Sequence, residues 1–166
     1  MFSFQPSDRF KNCDNKFCNN IQIPCLPIRG PKPFDQILFY IHKSIVDEAT
    51  AIEFYCHLLK ECPGKIHREF IEGIIEDERE HLDIFTKLFC YYTDEIPKYD
   101  CKPIGFPCYK EGLLLAMLGE LEAVEFYRNV QLSTTDQLII DIYFMVMVDE
   151  QSHATLFSTL LGSSKC

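Results

Sequence analysis

The sequence predicts an all-α protein, a four-helix bundle made of two antiparallel hairpins joined by a long crossover. Three observations carry that expectation. Apolar residues recur at helical spacing through four long segments, proline and glycine fall between the segments, and no stretch sustains the two-residue alternation of a strand.

The elements follow in order. Residues 1–32 are rich in Cys and Asn, and Pro24, Pro27 and Pro31 interrupt any regular helix, so this part reads as an irregular arm. The bundle domain takes residues 33–166. Pro33 opens the first helix at Phe34, and Pro63-Gly64 stops it at about Glu61. The second helix runs from Lys65 to about Tyr92, with Phe70, Ile71, Ile74, Ile75, Leu82, Phe85 and Leu88 on its apolar stripe. Pro97, Pro103 and Pro107 keep the stretch from Thr93 to Lys110 out of helix. A third helix spans about Glu111 to Leu132. The fourth runs to about Leu161 and is expected to be capped within Ser133-Thr134-Thr135, with Thr134 and Gln137 at capping-box spacing. Short connections make each pair of helices a hairpin. The long middle connection can travel the length of a bundle and set the second and third helices parallel.

Composition narrows the function. Of 166 residues 47% are hydrophobic and 25% charged, the proportions of a folded globular domain. The formal net charge is −9 and no dense Lys/Arg cluster occurs, which argues against a nucleic-acid partner. The most apolar stretches, Gly112 to Gly119 and Leu138 to Val148, are too short to span a membrane, and the second contains Asp141. No charged segment followed by an apolar run opens the chain, so the expectation is a cytoplasmic protein with no membrane partner. The nine cysteines include no CxxC pair, which argues against a zinc ribbon or a rubredoxin-like iron module.

The strongest signal is an internal repeat. A shift of 72 positions places Glu48, Ala51, Glu53, Phe54 and Tyr55 on Glu120, Ala123, Glu125, Phe126 and Tyr127. The same shift places Asp77, Glu78, His81, Phe85 and Leu88 on Asp149, Glu150, His153, Phe157 and Leu160. A shared amphipathic pattern would match Leu with Ile; it would not match Glu with Glu and His with His.

Helical phase then puts the four repeated glutamates on core faces, because positions four and seven apart share a side of the helix. Glu150 stands among Tyr143, Val146, Phe157 and Leu160, and Glu78 among Ile71, Ile74 and Phe85. Glu48 is flanked by Ile41, Ile45 and Ile52, and Glu120 by Leu113, Ala116 and Val124. Four uncompensated buried carboxylates cost several kcal/mol each, or must bind protons. Two divalent cations would balance them, and two imidazoles would complete the donor set. One Glu from each of two helices with Glu-x-x-His from each of the others is the pattern of di-iron and di-manganese bundles. Carboxylate and imidazole without thiolate favour Fe or Mn over Zn or Cu. His42, His57 and His67 lack a Glu three residues before them and read as surface or packing residues, and Glu53, Glu122 and Glu125 lie off this face.

The motifs E-x-x-A-x-x-F-Y at 48–55 and 120–127 and D-E-x-x-H at 77–81 and 149–153 resemble the ferritin-like superfamily, near its rubrerythrin and bacterioferritin branch. The resemblance covers roughly residues 34 to 162 and implies the ferritin-like form of the four-helix bundle. It implies that Glu48 and Glu120 are terminal metal ligands, Glu78 and Glu150 bridging ones, and His81 and His153 the nitrogen ligands. Asp77 and Asp149 would orient the histidine of the opposite motif, the alternative being simple exposure. Tyr55 and Tyr127 would hydrogen-bond ligand carboxylates across the bundle, the alternative being core packing. Two features depart from rubrerythrins: Ala123 stands where they usually carry an extra Glu, and no rubredoxin module is present.

The implied function is a dinuclear metal oxidoreductase holding two Fe ions (Mn being the alternative). It would react with O2 or hydrogen peroxide as a ferroxidase or peroxide reductase and draw on an electron donor the sequence does not name. The rival expectation is a ferritin-like structural protein cross-linked through its cysteines, Cys101, Cys108 and Cys166 among them, as in a spore or cell coat. Apolar surface on the second and fourth helices, including Phe144 and Met145, points to a homodimer.

Overall fold

The structure is a computed structural model that describes residues 31–101 and 103–163. The expected arm therefore lies outside the described residues except for its last two positions, as do Cys13, Cys18, Cys25 and Cys166. Four helices make up the fold, α1 (Phe34–Lys60), α2 (Lys65–Thr93), α3 (Tyr109–Gln131) and α4 (Gln137–Ser163), and no strand occurs among the described residues.

Helix ends obey local chemistry. The Pro33 carbonyl accepts from the amides of Gln36 and Ile37, so the ring that breaks the preceding chain also starts α1. At the end of α2, Asp94 adopts a left-handed conformation (φ 55°) and its amide closes on the Cys90 carbonyl. The start of α4 departs from expectation. Asp136, not Thr134, caps it: Asp136 Oδ1 accepts from the amides of Leu138 and Ile139 at 3.0 and 3.4 Å. Thr134 is drawn outward instead, its hydroxyl accepting from the Asp136 amide at 3.1 Å. An ionised carboxylate next to the first turn also favours the positive end of the helix dipole, which a threonine hydroxyl does not.

Three contacts fix the topology. The Lys32 amide, just before α1, donates to the Ser133 carbonyl just after α3. Tyr92, at the end of α2, donates to Asp136 at the start of α4 (2.6 Å). Ser163, at the end of α4, meets His67 at the start of α2 (3.2 Å). Thus α1 and α3 are antiparallel, α2 and α4 are antiparallel, and α2 and α3 run parallel, joined by the crossover. That crossover is anchored where His42 Nε2 meets the Lys98 carbonyl (2.8 Å) and where Phe106 lies edge-on to Phe54 and over His57. Gly112 permits this closure, because a Cβ there would stand 2.6 Å from Leu58 Cδ1 and 3.1 Å from the Phe106 ring.

The core is divided in two. One apolar cluster gathers Ile41, Ile45, Phe85, Tyr127, Tyr143 and Val146, and the other gathers Phe54, Leu58, Ile71, Leu113, Phe157 and Leu160. Between them, at mid-height of the bundle, all four helices deliver a carboxylate.

Candidate metal centre

Each helix presents one glutamate to this layer, and each carboxylate is buried: Glu48 2%, Glu78 1%, Glu120 3% and Glu150 1% exposed. His81 and His153 are buried with them, their rings 5.9 Å apart between centroids. The i, i+3 spacing carries each imidazole to the carboxylate of its own motif, Nδ1 lying 3.4 Å from Glu78 Oε2 in one half and 3.2 Å from Glu150 Oε2 in the other. The remaining oxygens cross over. Glu78 Oε1 lies 3.1 Å from His153 Nδ1, and Glu150 Oε1 lies 3.3 Å from His81 Nδ1. Glu78 and Glu150 therefore each offer one oxygen to each histidine.

The donor atoms form two overlapping groups, Glu48–Glu78–His81–Glu150 and Glu78–Glu120–Glu150–His153, and within each the atoms lie inside 4.8 Å of one another. Glu78 and Glu150 belong to both. That is the arrangement in which two cations could share two carboxylates, with one further Glu and one His for each. Among the described residues Glu78 Oε1 and Glu150 Oε1 are buried without a hydrogen-bond partner. A buried carboxylate oxygen left in that condition is costly unless a cation meets it. Donor type, overlap and orphaned oxygens together fit a pair of divalent ions.

Residues around this set hold it in place. Tyr55 donates to Glu120 Oε1 at 2.6 Å, and Tyr127 donates to Glu48 Oε1, both hydrogen bonds buried and both crossing between α1 and α3. On the far side, His153 Nε2 donates to Asp77 Oδ2 at 3.2 Å, and His81 Nε2 lies 3.5 Å from Asp149 Oδ2. Those aspartates are 57% and 47% exposed, so each sits at the surface and also reaches inward to a buried ring. These contacts call for a hydrogen on Nε2 and turn Nδ1 toward the carboxylate layer.

Two features beside the layer are absent from the sequence reading. Ser44, fully buried one turn before Glu48, hydrogen-bonds Tyr143 Oη at 2.9 Å, and the Tyr143 ring packs edge-on to Tyr127. Ser44 interrupts the stripe of Ile37, Ile41 and Ile45, which was the available signal. The other is a cleft between α1 and α3 that opens onto the carboxylate layer. The other histidines stay out of the layer: His42 and His57 contact the crossover, and His67 pairs with Tyr109 Oη (2.9 Å) and Ser163. Glu53, Glu122 and Glu125 are exposed. Cys56, Cys62, Cys90, Cys101 and Cys108 are free thiols, Cys108 exposed.

Burial, with the neighbouring charges of Glu78 and Glu150, pushes Glu48 and Glu120 well above the usual carboxylate range, which favours their protonated forms. Burial also opposes ionisation of Glu78 and Glu150, but hydrogen bonds prevail, those to His81 and His153 among them, and hold both below that range. Burial likewise disfavours charged imidazole, yet contacts with Glu150 and Glu78 outweigh it. They raise His81 from 6.5 to about 10 and His153 from 6.5 to about 11. Raised histidines contribute stability that is full below pH 6.5 and is lost as pH climbs through about 10 to 11.

The chain thus has a ferritin-like fold that carries a buried carboxylate–histidine cluster able to bind metal. It belongs to the family of the protein YhjR of Bacillus subtilis (strain 168), itself described as uncharacterized, with 31% identity over 121 residues that span 70% of this chain and 81% of that relative. Among solved structures it is similar to a dodecameric thioferritin, the bacterioferritin-related protein from Bacteroides fragilis, with a TM-score of 0.66 and 16% identity. That match covers 79% of this chain and 87% of the other, and it shows the fold. No family model matches the chain. No helix among the described residues is long and apolar enough to cross a membrane.

Divalent ions at Nδ1 would displace the protons of two imidazoliums. Titrating the metal-free protein with Co(II) at pH 7 in weak buffer should release at least two protons per chain, and affinity should fall as pH falls. A pH electrode or calorimetry in buffers of different ionisation enthalpy reads this directly. Uptake without proton release would contradict the assignment of charge.

Proposed function

We propose that the protein is a dinuclear metal oxidoreductase, most consistent with two Fe ions, that reacts with O2 or hydrogen peroxide. The observation that carries this reading is the sharing of Glu78 and Glu150 between two donor groups, each completed by one Glu and one His. A site for a single structural ion would need no shared carboxylates and no second histidine. Oxygen and imidazole donors without thiolate are those preferred by Fe and Mn.

The chain's own residues divide the work. Glu48 and Glu120 act as terminal ligands, each with one oxygen tied by a tyrosine from the opposite hairpin, which leaves the other oxygen to bind. Asp77 and Asp149 keep the imidazole Nδ1 lone pairs aimed into the layer. The two apolar clusters above and below the layer limit its contact with water, which strengthens the electrostatic interactions within it. When bound, a ferrous pair supplies two electrons, the number that takes hydrogen peroxide with two protons to two waters. Ferroxidase and peroxide-reductase chemistry both fall within this reading. Cytoplasmic location and an external electron donor belong to the same proposal.

Glu150→Ala and His153→Ala each remove a donor from the set. Both should lose bound metal, and stopped-flow absorbance should show Fe(II) oxidation falling at least tenfold, to the rate of iron in buffer. Wild-type oxidation rates in both variants would overturn the proposal.

We also propose a homodimer. Leu121 of α3 and Phe144, Met145 and Val148 of α4 are 44–55% exposed, whereas the exposed large apolar residues of α2, Ile66 and Tyr91, stand at its two ends. The apolar surface expected on α2 and α4 is thus mainly on α3 and α4. Sedimentation velocity should give twice the chain mass, reverting to monomer in Met145→Asp; a wild-type monomer at tens of micromolar would refute it.

A further inference from the structure

Between α1 and α3 lies a cleft of about 460 Å³ whose floor is the carboxylate layer. A water molecule occupies ~30 Å³ in the liquid. Fe(II), O2 and hydrogen peroxide each need no more than about one or two such volumes, so the cleft exceeds them by roughly an order of magnitude. Its size falls instead within the ~300–1,000 Å³ of small-molecule sites.

The walls agree with that comparison. Phe54, Leu115, Leu118 and Phe126 face the cleft, and Ala51, Gly119 and Ala123 leave the space between the two helices unfilled. A Cβ added at Gly119 would meet no atom within 4 Å. Ile104 of the crossover also lines it. Charge limits the occupant further. Lys43, Asp47 and Glu122 are the charged residues of the cleft outside the floor, and Lys43 is already engaged by Asp47 and by the Phe126 ring, 4.3 Å from its centroid. An organic anion would therefore meet Glu122 and the floor with no free cation among the described residues of the lining. At the floor, Tyr127 and Tyr55 each use one lone pair of Glu48 Oε1 and Glu120 Oε1, so an O–H or N–H on the occupant can donate to the second lone pair of either oxygen.

We propose that the α1–α3 cleft binds a small, uncharged, largely apolar organic molecule bearing one hydrogen-bond donor, held against the carboxylate floor. Its role as a reaction partner rests on the metal-centre reading, whereas its binding does not.

The test uses 4-fluorophenol as the probe and 4-fluorobenzoate as its anionic counterpart, on the full chain, with fluorine and amide NMR. The phenol should shift the amides of Ala51, Gly119 and Ala123 and bind at least tenfold more tightly than the benzoate. Gly119→Leu starts its side chain in the open space of the cleft and should weaken phenol binding at least tenfold while Co(II) uptake stays at the wild-type level. Ala51→Leu, on the opposite wall, should do the same and stands in if the first variant fails to fold. Absence of those shifts at millimolar phenol, equal binding of benzoate, or unchanged binding in a folded filling variant would overturn the proposal. Phenol binding that the variants block, in a chain that takes up no metal, would uphold the cleft and remove the metal centre. Metal uptake without phenol binding would do the reverse.

Discussion

Four carboxylates buried in one layer of an apolar bundle form the constraint on which the rest of this structure depends. Each alone would cost several kcal/mol to bury as an anion. Together they repel, so the layer needs compensating charge or protons. In the metal-free chain burial and mutual repulsion favour protonated Glu48 and Glu120, and His81 and His153 are raised as cations against Glu78 and Glu150. The histidines thus have two uses, as counter-ions without metal and as proposed ligands with it. Divalent ions would displace the histidine protons and take over that compensation.

That exchange explains the surrounding architecture better than packing does. An ordinary core would place aliphatic side chains at positions 48, 78, 120 and 150 and gain burial energy at each. Here the helices carry their apolar mass above and below instead, in two clusters, and tyrosines cross the α1–α3 seam to fix the carboxylates of those helices. At the opposite seam, α2 against α4, His153 donates outward to Asp77 and His81 Nε2 lies 3.5 Å from Asp149. One seam is thus tied by aspartates at the surface, and the other keeps an open cleft with small residues along it.

Much of this was legible in the sequence because the relevant residues come in pairs. The 72-residue shift puts Glu on Glu and His on His, and helical phase alone then turns them inward. Proline and glycine mark the helix ends closely because ring geometry and a missing donor act locally. What could not be read lies where distant parts meet. Ser133, Thr134, Thr135 and Asp136 are all competent caps, and the choice of Asp136 depends on how the chain enters α4 and on Tyr92 reaching across from α2. Ser44 reads as one weak polar interruption until Tyr143, 99 residues away, supplies its partner. The cleft was invisible for a different reason: Gly119, Ala51 and Ala123 define it by what they lack, and a sequence records side chains rather than the space between them.

The most direct measurement is iron per chain by elemental analysis, after anaerobic loading with Fe(II) and removal of loosely held metal. The shared carboxylates predict about two irons per chain in the native protein, with both lost when Glu78 is changed to Ala. A folded protein that retains no stoichiometric iron, or that binds two equally well without Glu78, would contradict the dinuclear centre.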